Sequence, residues 1–180
     1  HEEKLADQRR LEQEHRDAEA RLRAGLSEEA PLSEDRIAQW LGKMVAFFRE
    51  KGERARGVAL LRAHRLGALK TPPQDNGRTR IPALRATVFN DIAALQAAGA
   101  GGEQIFAACE DVLLEPGGQW SMDLQHLAHK TLTAMNDTDA VQVLEAELRG
   151  LLRRCPELPQ LAYDNGVPFA GPQAREWIEE

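Results

Sequence analysis

Asp123, His126 and His129, in the run SMDLQHLAHK, carry metal-capable atoms and stand three residues apart. On a helix this spacing sets them in a slanting row. Two imidazoles and a carboxylate are ligands for a zinc-like ion, so the chemistry to weigh is metal-dependent hydrolysis. Against it, no HExxH pair occurs, a zinc site needs three or four converging ligands, and Leu124, Leu127 and Thr131 mark the buried side of the same stretch. The row therefore reads as solvated or locally hydrogen-bonded side chains, and neither a metal nor any other cofactor is expected.

Other chemistry finds no constellation. The chain has no GxSxG, no phosphate-binding GxxxxGK[ST] and no cysteine with an evident histidine partner. Cys109 and Cys155 lie inside apolar helical patterns, outside any CxxC spacing, and read as buried free thiols. Glu145 with Glu147, and Glu28 with Glu29, fall on helix surfaces or caps, with nothing apolar around them to raise a pKa. No enzyme is expected. Arg78 and Arg80, in the run GRTR, are candidates for contact with a partner, holding a carboxylate or phosphate by bidentate guanidinium bonds. The competing reading pairs them with the chain's own acidic helices.

Charge placement keeps both readings alive. The formal net charge is −6, yet residues 57–90 hold six Lys/Arg against one Asp, and residues 91–180 hold five Lys/Arg against fifteen Asp/Glu. Blocks of opposite sign can attract within a fold, across a subunit contact or to an outside partner. A nucleic-acid role is disfavoured by the acidic total and by the lack of aromatics among the basic residues.

The elements that must position these residues are helical. With 180 residues, 42% of them hydrophobic and 29% charged, the chain suits one folded domain with or without a helical appendage. It begins with His1 rather than Met, and no apolar run approaches the roughly 18 residues of a membrane span or the form of a signal peptide, so a piece of a cytoplasmic protein is expected, without membrane insertion. Residues 1–30 read as a lead-in helix with a thin stripe at Leu11, Ala18, Leu22 and Leu26, possessing little to bury. Residues 31–180 read as the main helical domain.

Ser33 caps a helix whose stripe of Ile37, Trp40, Leu41, Met44, Val45, Phe47 and Phe48 is wider than one packed face needs. Trp40, Leu41, Met44, Phe47 and Phe48 are candidates for a self-interface, with the core as the competing place for them. A helix carrying Val58, Leu61, Leu66 and Leu69 runs on to the break at Pro72-Pro73, and Asp75-Asn76-Gly77 makes a turn in the loop that follows. Pro82 then opens a helix over about 84–98, followed by helices over about 102–115 and 120–135, separated by glycine-rich breaks. Asn136-Asp137-Thr138 caps another, lined by Val141, Leu144, Leu148, Leu151 and Leu152 and ended by Pro156 and Pro159. β-Alternation is absent, save two or three residues on either side of the closing turn. The fold class is all-α: an antiparallel helical bundle or short α-solenoid of about seven helices, closed by an irregular aromatic C-terminal segment.

That closing segment, LAYDNGVPFAGPQAREW, sets three aromatic rings, a second Asp-Asn-Gly and two prolines within Leu161 to Trp177. It reads as a structural clasp: Tyr163, Phe169 and Trp177 anchor the tail on the helices, while Asn165-Gly166 reverses the chain. Burial of a large aromatic contributes roughly 1.5–3 kcal/mol, enough to hold a tail without regular structure.

The runs LLRAHRLGALKTPPQDNGRTRIPA and LRGLLRRCPELPQLAYDNGVPFAGPQAREW resemble the TssA/VasJ family of bacterial type VI secretion systems, in the region that follows its ImpA-type N-terminal domain. The pattern lies on Leu151, Leu152, Arg153, Arg154, Pro156, Leu158, Leu161, Tyr163, Asp164, Gly166, Pro168, Phe169, Ala170 and Trp177. The resemblance covers about residues 55–178; Cys155 and Gly171 depart from it. It implies a structural protein without enzyme activity or cofactor that oligomerises and helps organise baseplate, tail tube and sheath; with the cytoplasmic setting read above, the expectation is a dimer for this piece and higher order in the full protein. The alternative is a generic helical adaptor for a peptide or protein partner along a solenoid groove.

Overall fold

A computed structural model describes residues 33–179 together with Gln13, Arg16 and Asp17. Those three are helical, and the rest of the lead-in helix expected over residues 1–30 lies outside the described residues. The chain is all-α. Helices α1 (Glu34–Glu50), α2 (Arg54–Leu66), α3 (Val88–Ala97), α4 (Gly102–Leu114), α5 (Met122–Ala134), α6 (Thr138–Arg154) and α7 (Pro172–Glu179) are joined by loops, by single 3-10 turns at Gly118–Trp120 and Leu158–Gln160, and by a small hairpin of β1 (Gln74–Asp75) and β2 (Arg78–Thr79).

Capping side chains set several starts. The hydroxyl of Ser33 accepts the Arg36 N–H at 3.3 Å, that of Ser121 accepts the Leu124 N–H at 3.2 Å, and the Asp137 carboxylate accepts the Ala140 N–H at 3.1 Å. Two boundaries differ from the sequence expectation. Helix α2 stops at Leu66 instead of running toward Pro72, and the stretch beyond it is tied to the end of α6: the Leu66 carbonyl accepts the Leu69 N–H at 3.1 Å and Arg154 at 3.0 Å, and the Cys155 thiol lies 3.7 Å from the Leu69 carbonyl. Helix α3 starts at Val88 rather than near Leu84. The Asp164 N–H donates to the Ile81 carbonyl at 2.9 Å and the Asp164 carboxylate accepts the Ala83 N–H at 3.1 Å, which pins this stretch to the closing segment before a helix can begin.

Two further corrections concern turns and the C-terminus. Strand pairing belongs to the first Asp-Asn-Gly turn, where Gln74 pairs with Thr79 and Asp75 with Arg78. Asn76 (φ 50°) and Gly77 (φ 80°) both take the left-handed conformation that a two-residue hairpin turn requires. At the second turn only isolated bridges form, from Ala162 to Arg78 and to Pro168. The closing segment is irregular only up to Gly171, after which Pro172 opens α7, a position where its missing N–H costs nothing.

Contacts divide the chain into His1–Arg36 and Ile37–Glu180, and both hydrophobic clusters are internal to the second unit. There α2 packs most extensively on α6, α6 also on α5, α5 on α4, and α4 on α3; α7 lies against α5. In a solenoid each unit touches only its sequence neighbours. The α2–α6 contact joins helices far apart in the chain, so the arrangement is a bundle. One cluster, including Val58, Leu61, Phe106, Leu132 and Leu144, fills the space among the helices. The other, including Met122, Leu151, Leu158, Tyr163 and Phe169, lies under the closing segment.

Candidate functional site

The broad stripe of α1 divides into two parts. Leu41 and Val45 are buried, whereas Ile37, Trp40, Met44, Phe47 and Phe48 are only half-buried. Phe47 and Phe48 meet edge to face with centroids 5.7 Å apart, the Arg56 guanidinium lies 4.7 Å from the Phe48 centroid, and the Lys51 ammonium lies 5.9 Å from that of Phe47. One line of the helix thus enters the core while the aromatic flank keeps contact with solvent.

Arg78 is engaged, though not by an acidic helix. Its guanidinium donates to the backbone carbonyl of Asp164, with Nε at 2.6 Å, so the first Asp-Asn-Gly turn grips the second. Backbone bonds reinforce this: Thr79 N–H to the Ala162 carbonyl at 2.9 Å and Ala162 N–H to the Gly77 carbonyl at 2.8 Å. Arg80 is exposed and makes no ion pair among the described residues. Much of the basic block is spent inside the fold. Arg65 donates to the Leu113 and Glu115 carbonyls at the end of α4, at 3.1 and 3.2 Å, and Arg85 grips both oxygens of Glu115 at 3.1 and 2.7 Å.

In the closing segment Tyr163 and Phe169 are buried. The Phe169 ring stacks on Trp120 at 5.7 Å and meets Tyr163 edge-on at 4.6 Å. The Tyr163 hydroxyl donates to the Gly117 carbonyl at 3.1 Å, and burial pushes its pKa upward. Gly117, at φ 83°, has no alternative: a Cβ there would stand 2.5 Å from the Pro82 carbonyl oxygen. Trp177 is half-buried on α7, its ring stacked on His126 at 5.1 Å and tilted against His129 at 4.9 Å.

This contact shows what the Asp123, His126 and His129 row does. Asp123 accepts the Gly171 N–H at 3.0 Å just ahead of α7, His126 and His129 flank Trp177, and Nε2 of His129 lies 2.9 Å from the Glu145 carboxylate. The three side chains hold down a helix. Among the described residues no group of three or more His, Cys, Asp or Glu side chains comes together as metal ligands.

One polar group escaped the sequence analysis. Arg62 on α2, Glu110 on α4 and Gln125 on α5 are 1%, 4% and 1% exposed. Nε of Arg62 donates to Gln125 Oε1 at 3.1 Å, and Nη2 forms an ion pair with Glu110 Oε1 at 2.9 Å. Nη1 of Arg62 and Nε2 of Gln125 have no hydrogen-bond partner. Burial outweighs the attraction of Arg62 and holds the Glu110 carboxyl above its ordinary pKa. A signal was present: Arg62 stands four residues from both Val58 and Leu66, on the apolar stripe itself. The adjacent Cys109 is pushed up to about 12 by the same burial, which leaves its thiol unreactive.

No helix among the described residues is long and apolar enough to cross a membrane. No curated protein matches the sequence. A family model described as "Type VI secretion, EvfE, EvfF, ImpA, BimE, VC_A0119, VasJ" matches residues 32–180, which takes in helices α1 to α7. The bundle, the paired Asp-Asn-Gly turns and the closing aromatic segment all lie within that match, and the chain belongs to this type VI secretion family.

Proposed function

We propose that the chain is a non-catalytic structural and assembly module of the type VI secretion machine, acting in the cytoplasm by joining polypeptides. In this reading it associates with itself, as a dimer at the level of this piece, and helps organise baseplate, tail tube and sheath. Family membership supports the setting. The observation that carries the self-association is the α1 face, where Trp40, Met44, Phe47 and Phe48 remain half-exposed beside the buried Leu41 and Val45. Large side chains already half-buried on one helix gain roughly 1 kcal/mol each when a second surface covers the remainder, and several together work against the cost of association.

In the same reading Tyr163, Phe169 and Trp177 are the clasp that keeps the bundle closed, and Arg80, exposed and without an ion pair among the described residues, is the member of the basic loop left for a partner's carboxylate. Sedimentation at micromolar concentration tests the proposal. A dimer is expected, reverting to monomer in Trp40→Asp/Met44→Glu. A strict monomer that also fails to bind tube, sheath and baseplate proteins would sink it.

A further inference from the structure

A groove of about 740 Å³ runs between α6 and α7. Leu152, Pro156, Trp177 and Ile178 supply apolar lining, and Arg149 and Arg153, one helical turn apart on α6, supply the charge. Leu152, Trp177 and Ile178 are half-buried, so the monomer leaves this apolar surface only partly covered.

The arginines are the informative part. Residues 91–180 carry five basic residues against fifteen acidic ones, and Arg149, Arg153 and Arg154 are three of those five. Arg154 has internal work, donating to the Leu66 carbonyl at 3.0 Å. Arg153 is exposed and has no ion pair among the described residues. Arg149 is 65% exposed and reaches only Glu145, at 4.0 Å, a carboxylate whose other oxygen is already held by His129 at 2.9 Å. Favourable interaction with the helix dipole is confined to the last turn, which accounts for Arg153 but not for Arg149. Arg153, without an ion pair among the described residues, and Arg149, reached only by Glu145 at 4.0 Å, stand beside a partly covered apolar floor and complement a segment with apolar side chains and carboxylates. A second copy of the same groove is a poorer fit, since the carboxylate lining it, Glu145, is already held by His129 at 2.9 Å and the copy would bring two more arginines.

We infer that the α6–α7 groove is a docking site for an acidic amphipathic segment of another protein, its apolar side chains on Leu152, Pro156, Trp177 and Ile178 and its carboxylates on Arg149 and Arg153. The site shares no residue with the α1 face and does not depend on self-association. The probe is a fluorescent helical peptide of leucine and glutamate, titrated by anisotropy into the intact 180-residue chain, with a leucine–lysine peptide as control. The acidic peptide binds saturably, more weakly as salt rises, and loses about tenfold in affinity with Arg149→Glu/Arg153→Glu, whereas the lysine peptide gains on that variant. Both side chains are exposed, and circular dichroism checks that the variant folds. Trp40→Asp leaves peptide affinity unchanged, which separates this site from the α1 face. No saturable binding of the acidic peptide, equal affinity for the variant, or a variant that alters the oligomeric state instead would overturn the inference.

Discussion

The core among the helices and the core under the closing segment solve one problem in opposite ways. Each must bury apolar side chains without stranding polar backbone groups. Among the helices the backbone is satisfied within each helix, and the interior admits a buried charged set, Arg62, Glu110 and Gln125, some of whose atoms lack partners. Helices line the core under the closing segment too, but residues 161–171, which cover it, are not helical, so their N–H and C=O groups must find partners across the fold. Phe169 N–H goes to the Leu161 carbonyl at 2.9 Å, Met122 N–H to that of Phe169 at 2.7 Å, and Tyr163 N–H to that of Val167 at 2.8 Å. Regular structure tolerates an imperfect polar interior; irregular structure must be tied at nearly every residue.

The largest expected effect breaks the first core. Arg62→Ala leaves Glu110 buried without its counter-ion and costs about 3–5 kcal/mol in urea unfolding, whereas replacing the whole set, Arg62→Met with Glu110→Leu and Gln125→Leu, is neutral or stabilising. A small cost for the single change would show that water reaches the site. Acid sharpens the same point. The folded-state pKa of Glu110 is raised, so the folded protein holds this proton more tightly than the unfolded chain does. Its contribution to stability is complete below the unfolded pKa and is lost as pH rises through the folded one. Unfolding measured across that window shows the slope, and Glu110→Gln flattens it.

The second core breaks less severely. Phe169→Ala removes a fully buried ring and costs about 3 kcal/mol, the low end for such a change, because Trp120 and Tyr163 sit on a 3-10 turn and a loop able to close the gap. A loss as large as that of Arg62→Ala would mean that the closing segment is packed as rigidly as the helices.

Legibility in the sequence follows the same division. The starts of α1 and α6 could be read because a cap and a 3.6-residue stripe are local, and Ser33 and Asp137 cap as their types imply. The early end of α2 and the late start of α3 could not, since the flanking stretches are tied to Arg154, Cys155 and Asp164, more than 80 residues away. Pro172 ahead of a run ending in Trp177 was a usable helix signal, masked by the prolines and glycines around it. Tyr163 and Phe169 read as buried from their types alone. Which flank of α1 faces outward, and that His126 and His129 flank Trp177, depend on which helices become neighbours, and periodicity in one helix carries no such information.

The smallest effect separates two turns of identical sequence. Gly77 and Gly166 each close an Asp-Asn-Gly, at φ 80° and 86°, and a Cβ would meet only the Gln160 carbonyl oxygen at 3.7 Å in the first and nothing within 4 Å in the second. Left-handed strain alone therefore predicts equal costs for Gly77→Ala and Gly166→Ala, about 1–2 kcal/mol each. The surroundings differ. The Gly77 carbonyl accepts the Ala162 N–H at 2.8 Å and its N–H donates to the Gln74 side chain at 2.7 Å, whereas the Gly166 N–H bonds only back to Tyr163 at 3.0 Å. Relaxing the strain at Gly77 shifts a carbonyl that joins the two turns, so Gly77→Ala costs more, and in hydrogen exchange the amides of Ala162 and Asp164 lose protection in that variant alone. Equal losses in both variants would mean that the turns fold independently and that the hairpin is not what holds the closing segment.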